Sequence, residues 1–261
     1  MRFSLLSALF ILGAVQCKPL NNPIASLMDQ EASVEMKKFG NIVLETMISH
    51  VAMAKFGMPR SLEEMKNDFA NLTATFLLLP LPDQKKIYLT FKGLGESTQA
   101  HHSELAGLEA LEKRFNSAAA KDIFQEIDQK FNILEQPDEA LAFVRTKDPE
   151  LADVCEKFLN EGREQYKLIK TQEGKDFVWN SLTYLEGRKG ETEDLSDETL
   201  THLKTEFAKL SQENRIDVVK RMTWYLNPVY ELIHKTIAAA GSSSQEGRIG
   251  RNFQTKMIIA Q

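Results

Sequence analysis

Disulfide bonds, strand patterns, catalytic motifs and membrane-length apolar runs are all missing from this chain, and each absence narrows what it can be. The 261 residues include two cysteines, Cys17 and Cys155. Cys17 falls in a leader expected to be removed, so no intrachain disulfide is available and the fold must rest on its core. The histidines, His50, His101, His102, His202 and His234, are scattered, with no HExxH and no cysteine and histidine group at zinc spacing. His202 and Glu206 stand one helical turn apart, but no third ligand accompanies them, so an exposed helical pair is expected. The glycines read as isolated at helix ends and in loops, which excludes a phosphate-cradling loop. There is no GxSxG and no Cys-His constellation. Enzymatic activity, a metal and a cofactor are therefore not expected.

Other absences concern partners. No alternating apolar and polar run is bounded by hairpin turns, so no sheet is expected. The formal charge is -5, and no basic stripe carries interleaved aromatics, which argues against nucleic acid. After the leader the best apolar run, Phe76 to Leu81, is broken at Pro80 and followed by Pro82, too short to cross a bilayer.

The leader itself is Met1 to Cys17, MRFSLLSALFILGAVQC. One arginine precedes an apolar run from Leu5 to Val15, and Val15 and Cys17 lie three and one before a cut ahead of Lys18. Pro19, Asn21, Asn22 and Pro23 follow at once. This predicts a cleaved secretory signal over 1–17 and an exported protein. The remaining chain carries 31 basic and 37 acidic residues, net -6, and only Cys155.

What is present is helix, restarted many times. Gln30 to Phe56 places Val34, Phe39, Ile42, Val43, Met47 and Val51 at helical spacing, and Gly57 and Pro59 end it. Ser61 opens a second helix with Glu64 three residues on, a capping box, and Leu62, Met65, Phe69, Leu72 and Phe76 line one side. On this helix Asn71-Leu72-Thr73 is a glycosylation acceptor, with Asn71 placed away from the apolar face. Leu81 to Phe91, Asn116 to Phe131 and Leu210 to Met222 share a helix-start character without a fixed period. Asp148 and Pro149 begin a helix whose stripe is Leu151, Val154, Cys155, Phe158, Leu159, Tyr166 and Ile169, about six turns long. Glu150, Asp153, Glu156, Lys157 and Glu164 fall opposite, and Cys155 within the stripe is expected to be an unreactive thiol. Leu195 and Ser196 open another helix through Leu200, Leu203, Phe207 and Leu210, and Asn227-Pro228 opens the last, with Val229, Leu232, Ile233 and Ile237. The tail from Gly241 loses helical spacing and reads as disordered. The expected fold is all-α, a compact multi-helix domain of short amphipathic helices with an internal apolar cavity and no sheet.

Many short amphipathic helices in an acidic exported chain have two obvious uses. Their apolar faces close around a small lipid, or they form a solid core beneath a surface that recognises another protein. A third use, helices that open on lipid, would give vesicle affinity without a saturable site. Periodicity does not separate these, since cavity-lining and core leucines leave the same pattern.

A resemblance does bear on the choice. NSAAAKDIFQEI from Asn116, DEALAFVRTKDPELADVCEKF over Asp138 to Phe158, GKDFVWNSL over Gly174 to Leu182 and DETLTHLKTEFAKLSQENRIDVVKRM over Asp197 to Met222 stand in an order and spacing similar to those of the nematode fatty-acid- and retinol-binding protein family. The resemblance covers about Asn116 to Ala240. It implies a secreted, helix-rich protein with an apolar cavity for long-chain fatty acids and retinol, no cofactor and no catalysis, and transient membrane contact for ligand exchange. The family has little or nothing comparable to Asn21–Glu112. The organisation expected is thus a signal over 1–17, an N-terminal helical extension over 18–112, a ligand-binding domain over 113–240 and a tail over 241–261.

A fatty acid needs a dry slot lined by apolar side chains and one or two polar groups for its head. The wall candidates are Phe124, Phe131, Leu141, Val144, Leu151, Phe158, Leu159, Phe177, Val178, Leu182, Leu203, Phe207, Val219 and Met222. For the carboxylate, Arg215 is the first candidate, since Ile216, Val219 and Met222 project it toward the apolar side. Tyr166 and Gln165, with Arg163 and Lys170 at the edge, form the second.

Overall fold

The computed structural model describes residues 32–87, 106–188 and 196–239. Among these residues 84% are helical, in 11 α-helices with no strand. The leader, the tail from Gly241, Leu195 and the stretch from Tyr88 to Phe91 lie outside the described residues.

Two compact units are present, Met1–Ala100 with Tyr225–Gln261, and His101–Trp224. The first contains α1 (Val34–Lys55), α2 (Leu62–Leu78), α3 (81–87) and the last helix, α11 (227–239). The helix opened by Asn227-Pro228 therefore belongs with the N-terminal helices and not with the segment that precedes it in the chain. The Ser33 side chain accepts from Met36 N–H to start α1, and Gly57 ends it with a φ of 77°, a conformation that costs glycine little. Ser61 and Glu64 form the full capping box of α2. α1 and α2 run antiparallel, with Phe39 against Phe76 at one end and His50 against Phe69 at the other. Tyr230 of α11 stacks on Phe69 at 5.7 Å, so three rings form a ladder. His50, 2% exposed, places Nε2 3.0 Å from Asp68 Oδ2, which also accepts from Arg60 at 2.6 Å. Asn71 is half-buried in the middle of α2, and its carbonyl accepts from Thr75.

The second unit holds α4 (Ala106–Phe115), α5 (Ala118–Lys130), α6 (Pro137–Lys147), α7 (Pro149–Lys167), α8 (Gln172–Glu186), α9 (Asp197–Lys209) and α10 (Gln212–Met222). Every start among α5, α7, α8, α9 and α10 is capped by a side chain, from Ser117, Asp148, Thr171, Ser196 and Ser211. Asp148 ends α6 by donating its N–H to Val144 while its carboxylate accepts from Leu151 N–H and from Arg114. One residue thus fixes the corner between α6 and α7 and ties both to the end of α4.

Two expectations need correction. α7 stops at Lys167, about five turns, because Leu168 closes the helix with bonds to the Glu164 and Gln165 carbonyls. Ile169 is buried, but from the turn beyond the helix. The glycines are also not confined to ends and loops: Gly40, Gly162 and Gly174 all lie inside helices.

Candidate functional site

The site is built on α7, whose two flanks meet different neighbours. One flank packs on α6 and the other on α10, while α8 packs on both α9 and α10. On the first side Phe115, Ala120, Ile123, Ile127, Ala140, Val144, Leu151 and Ala152 form a buried cluster. Leu111, Phe124, Phe131, Ile133, Leu141, Phe143, Val154 and Cys155 pack against it, each only partly buried. On the other side Phe177 meets Phe207 at 5.5 Å, and Ile169, Val178, Leu210, Val218 and Val219 are buried.

A run of rings connects the two sides. Phe124 stacks on Phe115 at 5.9 Å, Phe115 meets Phe158 edge-on at 6.2 Å, and Phe158 meets Trp224 at 4.8 Å. Such offset and edge contacts are favoured by the ring quadrupole. The α7 stripe that carries Phe158 also carries Leu159 and Tyr166, all half-buried, and at the position one turn from both Phe158 and Tyr166 stands Gly162. A Cβ on Gly162 would meet no atom within 4 Å. The stripe therefore has a gap in its middle, bordered by half-buried apolar side chains.

The second side is held by polar bonds that leave its apolar faces undisturbed. Buried Asp217 of α10 accepts from the Lys170 N–H at 2.8 Å, satisfying a donor in the turn before α8. Buried Asn214 accepts from the Thr171 hydroxyl at 3.0 Å and donates to Glu173. Next to this knot α8 and α10 approach closely at Gly174, where a Cβ would stand 2.9 Å from Ile169 Cγ2 and 3.2 Å from Val218 Cγ2. Glycine is needed there for lack of room.

The predicted wall residues fall into three groups. Val144, Leu151, Val178, Phe207 and Val219 are buried. Phe124, Phe131, Leu141, Phe158, Leu159, Tyr166, Phe177, Leu203 and Met222 are half-buried. Leu182 is 44% exposed and shares the outer flank of α8 with Trp179, 50% exposed. Trp224, Phe143 and Gly162 were not among the predicted residues. A Gly set four residues from an aromatic on either side within an apolar stripe is the signal that marks Gly162.

The head-group candidates fare differently. Arg215 sends Nη1 to the carbonyls of Leu210 at 2.5 Å and Ala208 at 3.2 Å, so it caps the C-terminal end of α9, where acceptors lack helical partners. That corrects the picture of a guanidinium aimed along the apolar face. Gln165 bonds Glu161, Arg163 lies 3.8 Å from Asp138, and the Lys170 side chain is exposed. Tyr166 remains beside the gap. His202 is likewise not an exposed pair with Glu206: it stacks on Tyr184 at 3.9 Å, while Glu206 pairs with Lys209. Cys155 is half-buried, and burial together with the nearby Asp148 charge pushes its thiol up, away from the reactive thiolate. Among the described residues no group of three or more His, Cys, Asp or Glu side chains is placed to hold a metal, and no helix is long and apolar enough to cross a membrane.

Fold and site together define a class, an all-α protein with a partly open, aromatic-lined apolar face in its second unit. No protein-family model matches the chain, and neither curated proteins nor solved structures yield a match.

Proposed function

We propose that the protein is an exported carrier of small hydrophobic ligands, of the long-chain fatty acid and retinol type, held without covalent chemistry in the second unit. The observation that supports this reading is the half-burial of Phe124, Phe158 and Trp224, rings linked into one path through the buried ring of Phe115. A solid core seals such rings, whereas a ligand wall shields them from bulk water and still leaves surface to be covered. Each ligand methylene withdrawn from water contributes about 0.8 kcal/mol, enough for useful affinity without a single charged contact. Export follows from the leader, makes Asn71 available to the glycosylation machinery, and brings transient membrane contact into play for ligand exchange. The test is titration of the delipidated full chain with retinol, following energy transfer from Trp224 and Trp179, then competition with oleate. Saturation near one ligand per chain, with displacement by oleate, supports the carrier. Transfer that rises without saturation rejects it.

One observation favours a second reading, recognition of another protein through the first unit. Ile48, 58% exposed, and Val51, 37% exposed, share a face of α1, and Phe56 and Met58 follow it at 69% and 59%. Single exposed apolar residues are ordinary, but four in so short a stretch suit a partner face.

A further inference from the structure

We infer that Arg221 is the carboxylate-binding residue of the proposed ligand site and that Gly162 marks the gap in which the adjoining chain of the ligand lies. The inference rests on the carrier reading and adds to it a specific head-group chemistry, an ionised carboxylate on an aliphatic tail. Arg221 sits in the last turn of α10 with its side chain 24% exposed. Among the described residues, its Nε is the buried side-chain nitrogen or oxygen that has no hydrogen-bond partner. Asp217, one turn back, forms an ion pair with Arg221, its Oδ1 3.8 Å from that Nε and beyond hydrogen-bond distance, while Asp217 Oδ2 accepts from the Lys170 N–H. A buried guanidinium N–H without a hydrogen bond is costly, and the planar fork that carries it matches a carboxylate in two-pronged fashion. Arg114, Arg145, Arg188 and Arg215 all have hydrogen-bond partners in the same unit.

The register of the helices places Arg221 beside the gap. Two contacts tie the α10 segment to that of α7: Asp217 bonds Lys170, just past the end of α7, and Trp224, just past the end of α10, packs on Phe158. The segments therefore run antiparallel, and Arg221, between Asp217 and Trp224, falls opposite the stretch of α7 between Phe158 and Lys170. That stretch contains Gly162, where a Cβ would meet nothing within 4 Å, and half-buried Leu159 and Tyr166. An open position on the apolar stripe and a buried guanidinium N–H without a hydrogen-bond partner thus fall on one seam. The charges of the two segments are mixed: Asp217 and Lys220 stand on α10, and the facing segment carries Glu161, Arg163, Glu164, Lys167 and Lys170, with Lys167 paired to Glu164.

The test measures oleate, oleyl alcohol and retinol binding to the full-length delipidated protein, to Arg221→Gln and to Gly162→Phe, with helical content checked by circular dichroism. The unmutated protein is expected to prefer oleate over oleyl alcohol by roughly tenfold, since the two differ in the head group. That comparison needs no variant and stands even where a substitution disturbs folding. Arg221→Gln should remove the preference while leaving retinol within about twofold. Gly162→Phe should weaken all three roughly tenfold by filling the gap, in a helix with room for the side chain. Equal affinity of the unmutated protein for oleate and its alcohol overturns the assignment of Arg221, as does an equal loss of all ligands in Arg221→Gln. Undiminished binding by Gly162→Phe overturns the placement of the chain. Failure of the carrier reading itself has a different signature, no saturable binding of any of the three by the unmutated protein, and it removes this inference with it.

Discussion

The two units sort their apolar side chains differently. In the first, the rings of Phe39, Phe69, Phe76 and Tyr230 are all at most 7% exposed and Phe56 is plainly outside, although Tyr225 and aliphatic residues such as Leu44, Leu62 and Leu77 are half-buried. In the second, Phe115 and Phe207 are buried, whereas Phe124, Phe131, Phe143, Phe158, Phe177, Tyr166 and Trp224 are held between the two states. A sealed ring contributes its full transfer free energy to folding. A half-covered one contributes part and keeps the remainder for whatever covers it next. On that contrast the first unit is the stable scaffold, and the second is the place where a ligand would gain most from adding surface.

The largest test of this difference pairs two phenylalanines. Phe69, 4% exposed and stacked between His50 and Tyr230, should lose about 3–5 kcal/mol of stability on replacement by alanine. Phe158→Ala should lose only about 1–2 kcal/mol, in proportion to its partial burial. Retinol affinity should respond in the opposite order, falling with Phe158→Ala and hardly changing with Phe69→Ala. Urea unfolding alongside retinol titration measures both, and equal losses of stability would erase the distinction between the units.

Next in size is Gly174→Ala, expected to cost about 1–3 kcal/mol because a methyl would press on Ile169 and Val218 where α8 and α10 touch. Thermal unfolding checks it. A neutral result would mean that the second unit is loose here as well, and that its half-buried rings reflect general slackness and not a shaped face.

How much of this was legible in sequence differs by feature. Capping made the helix starts readable: Ser61 with Glu64, Ser117, Asp148 with Pro149, Ser196 and Ser211 all cap as their side-chain chemistry dictates. α4 was not marked, since AGLEALEKRF offers a short stripe amid charge. The end of α7 was missed because Ile169 continues the spacing and is buried, though it reaches the core from a turn. Periodicity reports burial and does not report by which backbone path a side chain arrives there. The head group failed for a related reason. Helical projection put Arg215 near the apolar face, yet the carbonyls at the end of α9 were closer, while Arg221 drew no notice because its significance lies in the bonds that it lacks. The pairing of α11 with α1 and α2 is a long-range matter that no local pattern encodes.

A smaller effect probes the scaffold by pH. Burial holds His50 below the ordinary histidine range, against the opposing pull of Asp68, with Arg60 adding to the depression. The folded state therefore resists protonation more than the unfolded chain, whose histidines titrate near pH 6.5. As pH falls beneath that value the unfolded state binds the extra proton, so stability conferred by neutral His50 is complete above the window and is lost within it. The melting temperature should drop between neutral pH and mildly acid pH, more steeply in the unmutated protein than in His50→Gln. Identical slopes would show that His50 carries none of the dependence. Glu64 and Glu126, whose carboxyls are lowered by hydrogen bonds from Ser61 and from Lys130, titrate below this window and leave its upper part to His50.

The smallest effect bears most directly on the gap. Glycine inside a helix is unfavourable by about 0.5–1 kcal/mol relative to alanine, because the unfolded chain has more conformations to lose. Gly162→Ala has space for its methyl, so it should stabilise the protein by about that amount. Gly174→Ala is the same chemical change in the same unit with the opposite sign expected, and only the surrounding atoms differ. Measured together by urea unfolding, the two separate a glycine kept for close packing from one kept for emptiness. If Gly162→Ala stabilises and leaves ligand affinity almost unchanged, the position carries a stability cost with no packing reason. A space large enough to hold more than a methyl group is then the reason that remains.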